Sequence, residues 1–308
     1  TAGQLPDQPG ILNYGATNKL YHHLPTLSIQ YNGEWSDKMP LGLKNEGMAT
    51  IGKKYDFAVT VDGAPRDLYR TKIVKISPGF ILVNRTSVAF QYAQVGTKLS
   101  FDQTLAPGQE LPFFWTKPEG VKQIQLGTPL GSESPPIRLD VAGAFQVAFM
   151  SQQTGEKEKT VNVSIKLVNG TNFVVLGDHD TISVVTYKLK NKTNVPVKFT
   201  QKESDFPHVL APNQVMHWVW DLPQQTDKLV MVLPGGQTTA AEASFDSITT
   251  SVAPHILRFG DTKYFLEVQP RGNCKVISII TKVRKSSIVI EKEDPLKMNV
   301  KLAMSGVG

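Results

Sequence analysis

The chain has 308 residues, a net charge of +6 and one cysteine, Cys274. Hydrophobic residues make up 40% and charged residues 19%, so the chain can bury a real core and is not a low-complexity or disordered tract. A single thiol excludes an internal disulfide, and no run approaches the roughly 18 apolar residues that a membrane-crossing helix needs. The length admits two or three domains. The mild positive charge permits an acidic partner or an anionic surface without demanding either. No charged leader with an apolar core opens the chain. Its start at Thr1 and strand-like end at Gly308 read as a piece of a longer protein.

Residues 1–30 carry Gly3, Pro6, Pro9, Gly10 and Gly15 and are loop-like, with strand at Leu27–Tyr31. A short segment, Trp35–Leu43, comes next. Tyr55–Val61 alternates, with Tyr55, Phe57 and Val59 on one face. Asp62-Gly63-Ala64-Pro65 signals a turn. Strand resumes over Tyr69–Ile76, breaks at Ser77-Pro78-Gly79, and Phe80–Val83 leads as a buried strand into Asn84.

From there the chain repeats itself. Placing Asn84 on Asn191 aligns Phe80 with Tyr187, Leu82 with Leu189, Thr86 with Thr193, Val88 with Val195, Phe90 with Val197, Tyr92 with Phe199 and Gln94 with Gln201. Leu105-Ala106-Pro107 then matches Leu210-Ala211-Pro212, and Phe113-Phe114-Trp115 matches Trp218-Val219-Trp220. Apolar strands come after these at Val121–Leu126 and Asp227–Leu233. Further on, Ile137–Val141 pairs with Phe245–Thr249, Ala144–Phe149 with Lys263–Val268, and Val161–Leu167 with Lys275–Ile280. Tyr55–Val61 and Thr71–Ile76 fit the last two slots of an earlier unit. The period is about 107 residues, which is sandwich-sized. Helical periodicity is absent, while short alternating runs punctuated by Gly, Pro and Asn recur. The expected fold is all-β: tandem antiparallel β-sandwich repeats forming an elongated rod or arch. Residues 1–69 hold an N-terminal stretch of unassigned class and the end of a preceding repeat, 70–175 and 176–283 two complete repeats, and 284–308 a junction to the next segment of the full-length protein.

Asn84 and Asn191 sit between two apolar strands, where an Asn side chain bonds nearby backbone and holds a corner. The same corner also shapes any groove beside it. Pro196 stands where the first copy has Ala89, and proline cannot donate to a ladder, so the Val195–Thr200 strand is expected at an edge or with a bulge. Lys188, Lys190 and Lys192 alternate with Tyr187, Leu189 and Asn191, and Lys198 and Lys202 come after them. They predict a basic outer face, either simply solvated or attracting acidic peptide or anionic headgroups. The repeated aromatics read as core. Enzyme chemistry finds no footing. Asp178-His179-Asp180 lacks a second cluster to complete a metal site, Cys274 is a lone thiol on a strand, and no nucleophile elbow, P-loop or dinucleotide loop occurs. No basic stripe with interleaved aromatics points to nucleic acid.

The run Arg70-Thr71-Lys72, Ser77-Pro78 and Val83-Asn84-Arg85-Thr86-Ser87, with the Leu-Ala-Pro and Trp pattern after it, resembles the adaptor-binding region of the vacuolar protein sorting-associated protein 13 family. The tail Met298–Gly308 resembles that family's junction after the repeats. The resemblance runs from about Trp35 onward. It implies bridge-like lipid-transfer proteins whose last sandwich repeats dock organelle adaptors through short Pro-x-Pro motifs. It further implies no enzyme activity and no cofactor, and a cytoplasmic place, peripheral at organelle membranes and contact sites. Lipid transfer itself would lie in other parts of the full-length protein. Asn84 and Asn191 become repeat asparagines, with Asn191 the more coupled to adaptor binding. Asn191, Asn84, Tyr187, Lys188, Lys190, Pro196 and Lys198 are the candidate groove-shaping and peptide-binding residues. The alternative is a membrane-surface module that uses the lysine face.

Overall fold

The computed structural model describes residues 26–40, 45–64, 71–99, 103–178, 181–225, 228–232, 241–244, 255–259 and 262–281. Every regular element among them is a β-strand.

Strands Asn45–Ile51, Tyr55–Gly63 and Lys72–Pro78 form a three-stranded antiparallel sheet. Alternation puts Tyr55, Phe57 and Val59 on the side of Ala49 and Ile51, around one small core. Lys72–Pro78 pairs only within this sheet, and the next strand, Phe80–Arg85, already belongs to the next unit. Gly79 is the one residue between them. Its N–H donates to the Asp56 carbonyl at 2.7 Å, and its carbonyl accepts from the Asn172 N–H at 2.8 Å. A Cβ at Gly79 would lie 2.8 Å from the Met48 sulfur and 2.9 Å from the Asp56 carbonyl oxygen.

The first full unit has two layers. One contains Thr104–Leu105, Phe90–Gln94 and Gln123–Gly127, with Ile137–Arg138 paired alongside. The other runs Glu110–Phe113, Phe80–Arg85, Thr171–Gly177, Lys157–Val168, Gly143–Ser151. Ser132–Glu133 pairs with both layers and closes one side into a continuous ten-stranded sheet. Between the layers lies a core that includes Leu82, Phe90, Leu105, Trp115, Ile124, Phe149 and Val163.

The second unit repeats the two layers with nine described strands in separate sheets of five and four, without a described strand that bridges them. Its layers are His208–Leu210, Val197–Gln201, Lys228–Val232, Ala241–Ser244, and Val215–Trp218, Thr186–Asn191, Cys274–Ile280, Thr262–Arg271, His255–Phe259. Leu189, Phe199, Leu210, Trp218, Leu266 and Ile277 fill the interior. In both units the asparagine strand runs parallel to the unit's final strand, with Leu176 beside Asn84 and Ile279 beside Asn191. Parallel pairing returns the chain end of each unit to its beginning.

Two expectations are corrected. The second-half slots fall one strand out: the equivalent of Cys274–Ile280 is Thr171–Gly177, a strand that the repeat alignment passed over, and Val161–Leu167 matches the Thr262–Arg271 strand instead. Both sequences are apolar alternating runs, so pattern alone does not distinguish them. The strand after Pro196 is no edge, because Val197–Gln201 pairs with His208–Leu210 on one side and Lys228–Val232 on the other. Pro196 stands one residue before that strand begins, where a missing N–H removes no ladder bond. The Phe245–Thr249 match, residues 1–25 and the tail at Met298–Gly308 lie outside the described residues.

Candidate functional site

Asn84 and Asn191 are fully buried. In the first unit the Asn84 Nδ2 donates to the carbonyls of Val88 at 2.8 Å and Leu105 at 3.0 Å. Its Oδ1 accepts from the Thr86 N–H at 2.9 Å and the Thr86 hydroxyl at 2.8 Å. The second unit copies the network: Asn191 Nδ2 to Val195 O at 2.8 Å and Leu210 O at 3.0 Å, with Thr193 N and Oγ1 on Oδ1 at 2.9 and 2.7 Å. Each amide uses both donors and accepts twice, so it ties the end of its strand to a turn below and to the Leu-Ala-Pro segment of the other layer. The Asn191 N–H also donates to Gln214 O at 3.0 Å, which fixes the turn that starts the Val215–Trp218 strand.

Two further repeated devices support these corners. Gln94 and Gln201 are buried and clamp a loop backbone: Gln94 holds both N and O of Lys117, and Gln201 both N and O of Leu222. Their alignment is visible in the sequence, but their role is not. Gln109 and Gln214 accept from the N–H of Ala106 and Ala211 at 2.8 and 2.7 Å. The repeat runs on past Leu-Ala-Pro, through Gly108-Gln109 and Asn213-Gln214. Gly108 and Asn213 have φ of 75° and 60°, a region that favours Gly and Asn.

The other predicted residues part company. Tyr187 packs against the second core and meets Trp220 edge-on at 5.9 Å. Lys188 and Lys190 share the outer face of the Thr186–Asn191 strand and lie across from His217 and Val215. Lys192 pairs with Glu267 at 3.5 Å. Lys198 is exposed on Val197–Gln201, in the opposite layer. The expected lysine face is therefore split, and only Lys188 and Lys190 adjoin the edge strand Val215–Trp218.

That edge strand lines a cleft of about 600 Å³ between the two units. From the second unit come Phe206, His208, Met216, His217, Trp218 and Trp220; facing them are Pro135, Pro136, Ala148, Met150 and Lys157. His208 stacks on Phe199 and meets Trp218 edge-on, and its Nε2 lies 3.1 Å from both oxygens of Asp221. Burial, then Lys188 and Lys157, push the His217 ring below the usual imidazole range. Gln224 joins the units, accepting from the Arg138 N–H at 2.7 Å and donating to the Arg138 carbonyl at 2.8 Å.

The profile of the vacuolar-sorting associated protein 13 adaptor binding domain matches residues 30–227, more than half of the chain. The chain belongs to this family. The intermembrane lipid transfer protein vps13B of Dictyostelium discoideum is 24% identical over 189 residues, 58% of this chain and 3% of that protein. The intermembrane lipid transfer protein vps13D of the same organism is 24% identical over 179 residues, 55% of this chain and 4% of that protein. The chain thus spans a few per cent of the length of these relatives.

The family match contains both corner asparagines and every residue that lines the cleft. Among the described residues of this adaptor-binding domain, no group of three His, Cys, Asp or Glu side chains could hold a metal ion. Of Asp178-His179-Asp180, only Asp178 is among them.

Proposed function

We propose that this adaptor-binding domain docks short Pro-x-Pro segments of organelle adaptors in the cleft between its two full units, and so directs a lipid-transfer protein to membrane contact sites. The cleft carries the reading. It joins an apolar, aromatic lining to an edge strand, Val215–Trp218, which pairs on one side only among the described residues. An extended peptide is held by such an edge through backbone bonds, while prolines and apolar side chains enter neighbouring pockets. Asn191 shapes this site through its side chain, whose Nδ2 holds the Leu210 carbonyl at the start of the turn that leads into the edge strand. Asn84 makes the same corner in the first unit, away from the cleft. Tyr187 supports the lining through Trp220.

Calorimetry with several Pro-x-Pro peptides tests the reading. Binding is expected with the intact domain, and Asn191→Ala weakens it far more than Asn84→Ala at a temperature where both variants are folded. No binding to any such peptide overturns it. Sedimentation with anionic vesicles that fades with salt, and without peptide binding, would favour the membrane-surface alternative through Lys188 and Lys190.

A further inference from the structure

The chain contains the same kind of junction twice, completed once and left open once. At the first, Phe114 packs among Tyr31, Tyr55 and Phe57 with ring centroids 6.2, 5.4 and 5.6 Å away. Trp115 donates its indole N–H to Asp56 Oδ2 at 2.7 Å, and Lys122 lies 4.8 Å over the indole ring. An aromatic filling, an indole with its acceptor, and a cation beside a carboxylate are all supplied by the chain itself.

At the second junction the corresponding residues are Val219 and Trp220, and the space beside them is the 600 Å³ cleft. Trp218, only 2% exposed and part of the lining, has an indole N–H with no hydrogen-bond partner. A buried donor without an acceptor is a costly state that a bound acceptor relieves. Along the rim stand Lys157 and His217, with Lys188 across the ladder from His217. Neither Lys157 nor Lys188 meets a carboxylate among the described residues. The carboxylates of the lining are already engaged: Glu133 by Gln125 and Gln152, and Asp221 by His208 and Ser204. Those bonds leave both carboxylates charged, but the charges that bear on His217 are Lys188 and Lys157, so this corner of the rim is positive.

We propose that the segment docked here carries an acidic side chain, which sits on Lys157, Lys188 and His217 while its proline or apolar residues lie on Met216, Trp218 and Trp220. A backbone carbonyl of the same segment supplies the acceptor that the Trp218 indole lacks. An extended proline-containing segment has no internal hydrogen bonds, so its carbonyls are free to accept. This inference rests on the docking reading above and adds the charge of the partner to it.

The test uses two labelled peptides with one Pro-x-Pro core, flanked in one by Glu and in its twin by Gln, read by fluorescence anisotropy. The Glu peptide is expected to bind about fivefold to tenfold tighter at low salt, as two screened ion pairs, to Lys157 and Lys188, allow. The gap should close between about 50 and 300 mM salt. Lys157→Gln and Lys188→Glu should each narrow it, and a Lys-flanked peptide should gain on Lys188→Glu. Lys157 is exposed, so its variant folds whatever Lys188 contributes. Trp218→Phe, which places there the aromatic type of the matching Phe113, should weaken both peptides alike. If both peptides bind equally and without salt dependence, the acidic preference is wrong and docking stands. If neither binds, docking itself is wrong. If the domain binds only phosphatidylserine-containing vesicles, and Lys188→Glu abolishes that, the lysines serve a lipid surface and the proposal falls.

Discussion

Replacing Asn191 by alanine removes four hydrogen bonds from a fully buried site. Their loss is not uniform. The Val195 carbonyl keeps a bond from the Thr193 hydroxyl at 3.0 Å, and that hydroxyl keeps its acceptor. The Leu210 carbonyl and the Thr193 N–H lose the bonds the amide supplied. Two buried backbone groups at about 1–3 kcal/mol each, with a small cavity added, give about 3–5 kcal/mol. For a unit of this size that lowers the thermal midpoint by more than about 12 °C. Asn84→Ala should match it, because the first network has the same partners at the same positions. Thr193→Val, which leaves the amide in place, should cost only about 1 kcal/mol. Urea unfolding followed by amide exchange in Cys274–Ile280 and Thr171–Gly177 would assign each loss to its own unit. A result for Asn191→Ala within about 1 kcal/mol of the parent, at unchanged m-value, would refute the view that these amides hold the corners.

Asn191→Asp keeps the shape but puts an acceptor oxygen where the amide Nδ2 donated, facing the Val195 and Leu210 carbonyls. The buried carboxyl should have its pKa raised by burial and by those facing oxygens, so the variant recovers stability as pH falls and loses it as pH rises through that raised pKa; unfolding curves at pH 4 and 7 that coincide, relative to the parent, would contradict this. Gly79→Ala forces a Cβ to within 2.9 Å of the Asp56 carbonyl oxygen, and should cost about 1–3 kcal/mol by thermal melting. Asp56→Ala leaves the Trp115 indole N–H without its acceptor and should cost about 1–3 kcal/mol, whereas Asp56→Asn keeps an acceptor and should recover most of it. Equal losses in the two Asp56 variants would show that charge, not the hydrogen bond, matters there.

The corners were legible because their chemistry is short-range. An asparagine bonded to a threonine two residues on and a carbonyl four residues on writes its requirements into neighbouring positions, and the repeat shows them twice. The glutamine clamps were visible as an aligned pair without a role, because their partners, Lys117 and Leu222, are backbone groups any residue can supply. The lysine face was misjudged because alternation along one strand fixes which side a residue faces only within its own sheet. Lys198 comes soon after Lys190 in the chain, yet between them the chain turns the corner into the other layer.

The amino-acid sequence by itself determined the all-β class, the corner asparagines and the core aromatics, since period-two burial and side-chain-to-backbone bonding act over a few residues. Only the tertiary structure decided that Thr171–Gly177 closes the first unit, because its partner, Phe80–Arg85, lies far back in the chain and parallel pairing leaves no local mark. It also decided that one junction is packed shut and the next stands open. The matching tryptophans, Trp115 and Trp220, stand at both, and the difference lies in Val219 where the first has Phe114 and in what a neighbouring unit brings: Tyr31, Tyr55 and Asp56 in one place, Pro135, Pro136 and Lys157 in the other.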